Sequence, residues 1–191
     1  RSLVVKIDLN SPVLTITSPT GWALVGNGVL TWSASDLSGI VLTEVSADGS
    51  NWTSAYGTTY ALPLGDGPHT AYVRVTDAAG WVSVASVYFI LDSTGPSLII
   101  HAPAGGPYLN VSSATMSWTA TDALSGIGHY EVSIDGISWI STTSTSYHFS
   151  GLEDGCWTLY VRAYDAAGNI GERSTSVIID TIAPTAEVTT T

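Results

Sequence analysis

Apolar and polar residues alternate with a period of two along most of this chain, and clusters of Gly, Asp, Ser and Pro interrupt the alternation at short intervals. Such a pattern predicts strands that bury one face and wet the other, joined by tight turns. In the first half it places strands at 13–17, 29–34, 41–47, 59–62, 69–76 and 82–91. Asp48-Gly49 is a hairpin signal, and Trp52 opens the return strand behind it. About seven short strands with no helical period predict an all-β Greek-key sandwich. Alternation puts Leu30, Trp32 and Ala34 on one face, with Ala71, Val73 and Val75 on one face of the later strand, and these are the expected core. Arg74 falls on the outward face opposite Glu44, which predicts a cross-strand ion pair.

The pattern then starts again. The stretch from Leu64 to Gly80 has the frame Leu-x-Asp-Gly-x-x-Thr-x-Tyr-Val-Arg-x-x-Asp-Ala-Ala-Gly, and the frame returns from Leu152 to Gly168. Trp118 repeats Trp32, Trp139 repeats Trp52, and Asp135-Gly136 repeats Asp48-Gly49. A feature present in both copies serves the fold before it serves a ligand. The second core is therefore expected at Met116, Trp118, Ala120, Leu159, Val161 and Ala163, and a second ion pair between Glu131 and Arg162. Asp-x-x-x-Pro recurs at Asp8, Asp92 and Asp180 and marks the joints. The expected division is a last strand of a preceding repeat (1–8), one complete repeat (9–92), a second (93–180) and the start of a further one (181–191). The chain thus reads as a piece of a longer array.

Composition narrows the function classes. Five basic residues against sixteen acidic ones give a net charge of −11, which leaves no basic patch to neutralise phosphates and argues against nucleic acid and anionic membrane surfaces. No apolar run approaches the roughly 20 residues of a membrane helix. Cys156 is single, so no internal disulfide exists, and it is expected as a half-buried structural residue. The histidines form no metal-ligand spacing, no Gly-x-Ser-x-Gly elbow is present, and no glycine-rich phosphate loop leads from a strand into a helix. The Gly-rich 104–107 reads as a loop. None of this points to catalysis.

Three groups of residues remain as candidates. The sandwich topology gathers Asp48, Asp66 and Asp92 at one end of the first repeat and Asp122 and Asp165 at the facing end of the second. Such a group suits Ca²⁺, which takes about six to eight oxygens of this type, although each aspartate can also cap its own loop backbone. Asn51-Trp-Thr and Asn110-Val-Ser fit the glycosylation acceptor pattern. Trp22 and Trp81 have no aromatic tryptophan counterpart in the other copy. They form either a stacking platform for a glycan or protein partner or a packing surface for a neighbouring unit.

The duplicated carriers are Trp-x-Ala-x-Asp-x-Ser-Gly-Ile from Trp32 to Ile40, Glu-Val-Ser-x-Asp-Gly from Glu44 to Gly49, the Asp-Gly to Ala-Ala-Gly frame and the Asp-x-x-x-Pro joint. With them the sequence resembles the tandem immunoglobulin-like, fibronectin III-like repeats of bacterial and archaeal cell-surface or secreted proteins. The resemblance implies two immunoglobulin-like Greek-key sandwiches in line. It also implies an extracellular, cell-surface setting and a non-catalytic structural role as a stalk, adhesin or surface-layer spacer whose partners are neighbouring repeats. The alternative it leaves is a carbohydrate- or protein-binding module accessory to a secreted enzyme.

Overall fold

The computed structural model describes residues 7–103 and 108–187. The strand expected at the very start, the 104–107 loop and the end of the further repeat lie wholly or partly outside them. The chain divides into two units, 1–94 and 95–191.

The first unit holds β1 (Val13–Ser18), β2 (Ala23–Val25), β3 (Val29–Ser35), β4 (Ile40–Ser46), β5 (Thr53–Ser54), β6 (Thr59–Ala61), β7 (Gly67–Asp77) and β8 (Val82–Leu91). They form a sheet ordered β1-β3-β6 and a second ordered β2-β8-β7-β4-β5. The second unit repeats this with β9 (Ser97–Ala102), β10 (Tyr108–Leu109), β11 (Ser113–Thr121), β12 (Ile127–Ser133), β13 (Ile140–Thr142), β14 (Ser146–Ser150), β15 (Gly155–Asp165) and β16 (Ile170–Ile179). Its sheets run β14-β11-β9 and β10-β16-β15-β12-β13. The chain is therefore all-β, and each unit is a two-sheet sandwich.

Each unit has one strand more than alternation predicts. The extra strands, β2 and β10, pair parallel to β8 and β16. Three residues of intermediate burial in β2 give no period to read, and their partner lies far along the chain. Through β2 the chain leaves the three-stranded sheet after β1 and closes the edge of the other one.

The interiors are where the alternation places them. Leu30, Val45, Ala71, Val73, Val75 and Phe89 have no solvent exposure and Trp32 is buried among them. Met116, Val132, Leu159, Val161, Ala163 and Val177 are equally enclosed in the second unit, around Trp118. Ala34 and Ala120 are half-buried at the margins. Burying a Val or Leu side chain contributes about 1.5–3 kcal/mol. Interlocking apolar faces of two sheets therefore account for both sandwiches without a disulfide. Cys156 is exposed, not half-buried, because it falls on the outer face at the start of β15.

Candidate functional site

On the outward face of the first unit, β4 and β7 set Glu44 beside Arg74, and the guanidinium meets the carboxylate at 2.7 Å. The same guanidinium lies 4.2 Å from the centre of the Trp52 ring. This is the expected ion pair, with a cation–π contact beneath it. The second unit departs from expectation. Arg162 also lies over its tryptophan, 3.7 Å from the Trp139 ring, but its Nε donates to Glu172 at 2.6 Å. Arg74 faces Val84 on its other neighbouring strand, whereas Arg162 faces Glu172. A second carboxylate thus competes for Arg162 and wins. Glu131 instead accepts a 2.9 Å bond from the Tyr164 hydroxyl. That bond, with burial, pushes the Tyr164 phenol above its ordinary value, and the Glu172 bond does the same for Arg162.

The hairpin aspartates turn inward on their own loops. Asp48 Oδ1 accepts the N–H groups of Ser50 and Asn51, each at 2.7 Å, and the Ser46 hydroxyl at 2.9 Å. Asp135 repeats this with Ile137, Ser138 and Ser133. The Asn51 backbone bond to Asp48 and the Ser138 backbone bond to Asp135 lead a set of donors that hold both carboxyls far below the usual range. The Asn51 amide, the glycosylation candidate, donates to Asp48 Oδ2 at 2.7 Å, while Asn110 is exposed.

Asp66 lies before β7 and ties down the chain that leaves β8. Its Oδ1 accepts the N–H and hydroxyl of Ser93 at 2.8 and 2.6 Å, and Oδ2 the Thr94 hydroxyl at 2.6 Å. Asp154 holds Thr181 in the same way, at 2.9 and 2.8 Å. Asp92 is buried, and its Oδ1 accepts the Thr94 N–H. In the second unit, burial pushes the Asp122 carboxyl up, but the N–H groups of Ser125, Gly126 and Leu124 outweigh it and hold the carboxyl below its ordinary value. Asp165 Oδ1 accepts the Asn169 N–H, and its Oδ2 accepts the Asn169 side-chain amide.

At the opposite end of the first unit lies a group that the sequence pattern does not assemble. Oxygens of Asp8, Asp36 and Asp77, one from each, lie within 4.8 Å of one another. Asp36 begins the turn into β4, Asp77 ends β7, and Asp8 precedes β1. Asp48 and Asp66 sit at the other ends of β4 and β7, roughly 30 Å away along an eleven-residue strand. Asp77 is 1% exposed, and its Oδ1 accepts the N–H groups of Ala79 and Trp81 at 2.9 Å. Among the described residues its Oδ2 has no hydrogen-bond partner, and neither has the buried Oδ2 of Asp8. The Asn10 N–H and the Ser38 hydroxyl hold the Asp8 carboxyl below its ordinary value. A surface cleft of about 490 Å³ opens here, lined by Ile7, Asp8, Leu37, Ser38, Ala78 and Ala79.

Trp81 belongs to this end, with its indole N–H donating to the Asp8 carbonyl at 3.1 Å and the residue 45% exposed. Trp22 does not. It is 80% exposed, has φ of 65° and packs against Tyr88 with ring centres 4.5 Å apart. Roughly 20 Å of β8 separates the two tryptophans, so they form no common platform.

No protein-family model matches the chain. It is 31% identical over 193 residues to chitinase A1 of Niallia circulans, an alignment covering 95% of this chain and 28% of that protein. It is 36% identical over 126 residues to exoglucanase A of Cellulomonas fimi, covering 59% of this chain and 14% of that one. The chain thus spans less than a third of either relative. Among solved structures, the fibronectin III-like modules of Clostridium thermocellum CbhA superpose with a TM-score of 0.58 at 15% identity, over 93% of this chain and 100% of theirs.

Proposed function

We propose that this chain, which belongs to the tandem fibronectin III-like and immunoglobulin-like repeats, works as a non-catalytic spacer in an extracellular protein, holding an enzymatic or adhesive part at a distance. One observation carries the reading: the segment leaving each sandwich is tied back to the loop before the penultimate strand, by Asp66 in one unit and Asp154 in the other. Charge-assisted bonds of this kind are about twice as strong as neutral ones, and they sit where tension along the chain would enter the fold. The other duplicated polar groups are consumed in the same internal way, in Asp48 and Asp135 turns and in arginines stacked on tryptophan. Relatives named chitinase and exoglucanase suit a secreted setting, in which a module of this kind would separate a catalytic part from a polysaccharide surface.

Trp22 favours a second reading, a binding module accessory to such an enzyme. A bulky residue with positive φ stores strain, and strain of that kind gathers at functional sites. Its ring borders a cleft of about 480 Å³ with Tyr88. Affinity electrophoresis through gels containing soluble chitin or β-glucan separates the readings. The spacer predicts unretarded migration for the wild type and Trp22→Ala alike. Retardation of the wild type that Trp22→Ala abolishes would establish the binding module instead.

A further inference from the structure

We infer that Asp8, Asp36 and Asp77 form a binding site for a hard divalent cation of calcium size within the first unit. Three observations converge on it. The three carboxylates approach within 4.8 Å, a separation at which like charges repel unless something positive stands between them. Among the described residues the ion pairs are Arg74–Glu44 and Arg162–Glu172, so neither brings a cation to the trio. Most directly, Asp77 is enclosed and its Oδ2 has no hydrogen-bond donor among the described residues, and the buried Oδ2 of Asp8 is in the same state. Buried polar atoms are nearly always satisfied, and an orphan carboxylate oxygen in an acidic cluster is the place for a metal ligand.

The second copy shows what removes such an orphan. Asp165 occupies the position of Asp77, and there Asn169 donates its amide to Oδ2 at 2.7 Å. In the first copy Trp81 stands in place of Asn169. Its backbone N–H serves Asp77 Oδ1, and its indole N–H reaches the Asp8 carbonyl instead. The substitution therefore leaves Asp77 Oδ2 without the side-chain donor that Asp165 has.

Three carboxylates from three separate segments, with Asp8 lining the adjoining cleft, suit the irregular oxygen shell of Ca²⁺ better than the strict octahedron of Mg²⁺. The ion would bridge the segment before β1 to the β3–β4 and β7–β8 turns. It would fix how the chain enters the sandwich, as Asp66 fixes how it leaves. The inference does not depend on the spacer role.

Trp81 supplies the test, because an indole beside a bound lanthanide sensitises its emission. Metal-free whole chain would be titrated with Tb³⁺ under tryptophan excitation, then back-titrated with Ca²⁺. The site predicts saturable emission that Ca²⁺ displaces, at least ten-fold weaker affinity in Asp77→Asn and in Asp8→Asn, and loss of most emission in Trp81→Phe. Asp8 lies outside every strand, so Asp8→Asn keeps the test informative if Asp77→Asn fails to fold. Trp81→Asn, which imitates the second copy, should weaken Ca²⁺ binding as measured by calorimetry. Absence of saturable emission, or unchanged Tb³⁺ affinity in Asp8→Asn, overturns the inference.

Discussion

Gly171 and Ser83 occupy equivalent positions in the two units, just inside the last strand, where the segment before the first strand passes over it. In the first unit the Ser83 hydroxyl donates to the Pro12 carbonyl at 2.6 Å. In the second, a Cβ on Gly171 would collide with the Pro96 carbonyl oxygen. Gly171→Ala should therefore destabilise the second unit by about 1–3 kcal/mol, the usual range for overpacking. Ser83→Ala, losing one hydrogen bond, should cost the first unit about 1 kcal/mol. Urea denaturation of the two variants checks the order. The hairpin aspartates carry a pH dependence at the same scale. Their carboxyls titrate lower in the folded chain than in the unfolded one, so the unfolded state takes up protons first as pH falls. The stability they contribute is full above about pH 5 and is lost progressively below the ordinary carboxyl value of about 4. A double variant Asp48→Asn, Asp135→Asn should show a smaller drop in melting temperature between neutral pH and pH 3 than the wild type does.

At the scale of elements, the choice made by Arg162 reveals how far sequence alone could be read. Alternation along β4, β7, β12 and β15 located both arginines and both glutamates on the outer face, and the cores with them. It had no access to the neighbour on the other side, where Val84 in one unit and Glu172 in the other decide the pairing. Glu172→Val should return Arg162 to Glu131. The Tyr164 hydroxyl then loses its acceptor, and its titration moves down toward the ordinary phenol value of about 10. An unchanged Tyr164 titration would contradict the competition. The change in stability should stay within about 1 kcal/mol, because both partners are partly exposed. The same limit explains the short parallel strands β2 and β10, whose pairing lies in distant backbone rather than in any local period. It explains the acidic trio as well. Asp8, Asp36 and Asp77 each carry a readable local role as joint or turn, but their convergence depends on three segments meeting at one end of a sandwich. Asp48 and Asp66 were equally acidic in sequence, and the structure gives each a full set of donors in its own loop or exit segment.

For the whole molecule, the proposed spacer role requires that two sandwiches with separate cores and tied exits resist being drawn out. Each core takes its residues from its own unit alone. Acidic groups outnumber basic ones sixteen to five, which keeps such a chain dispersed in water. The most direct measurement of whether the Asp66 and Asp154 ties carry tension is to pull the chain from its ends in a single-molecule force experiment. Two unfolding events are expected, each releasing roughly 280 Å of extended chain. Asp66→Ala should lower the force of one event and Asp154→Ala that of the other. Unfolding forces indifferent to both substitutions, or gradual extension without discrete events, would contradict the spacer account.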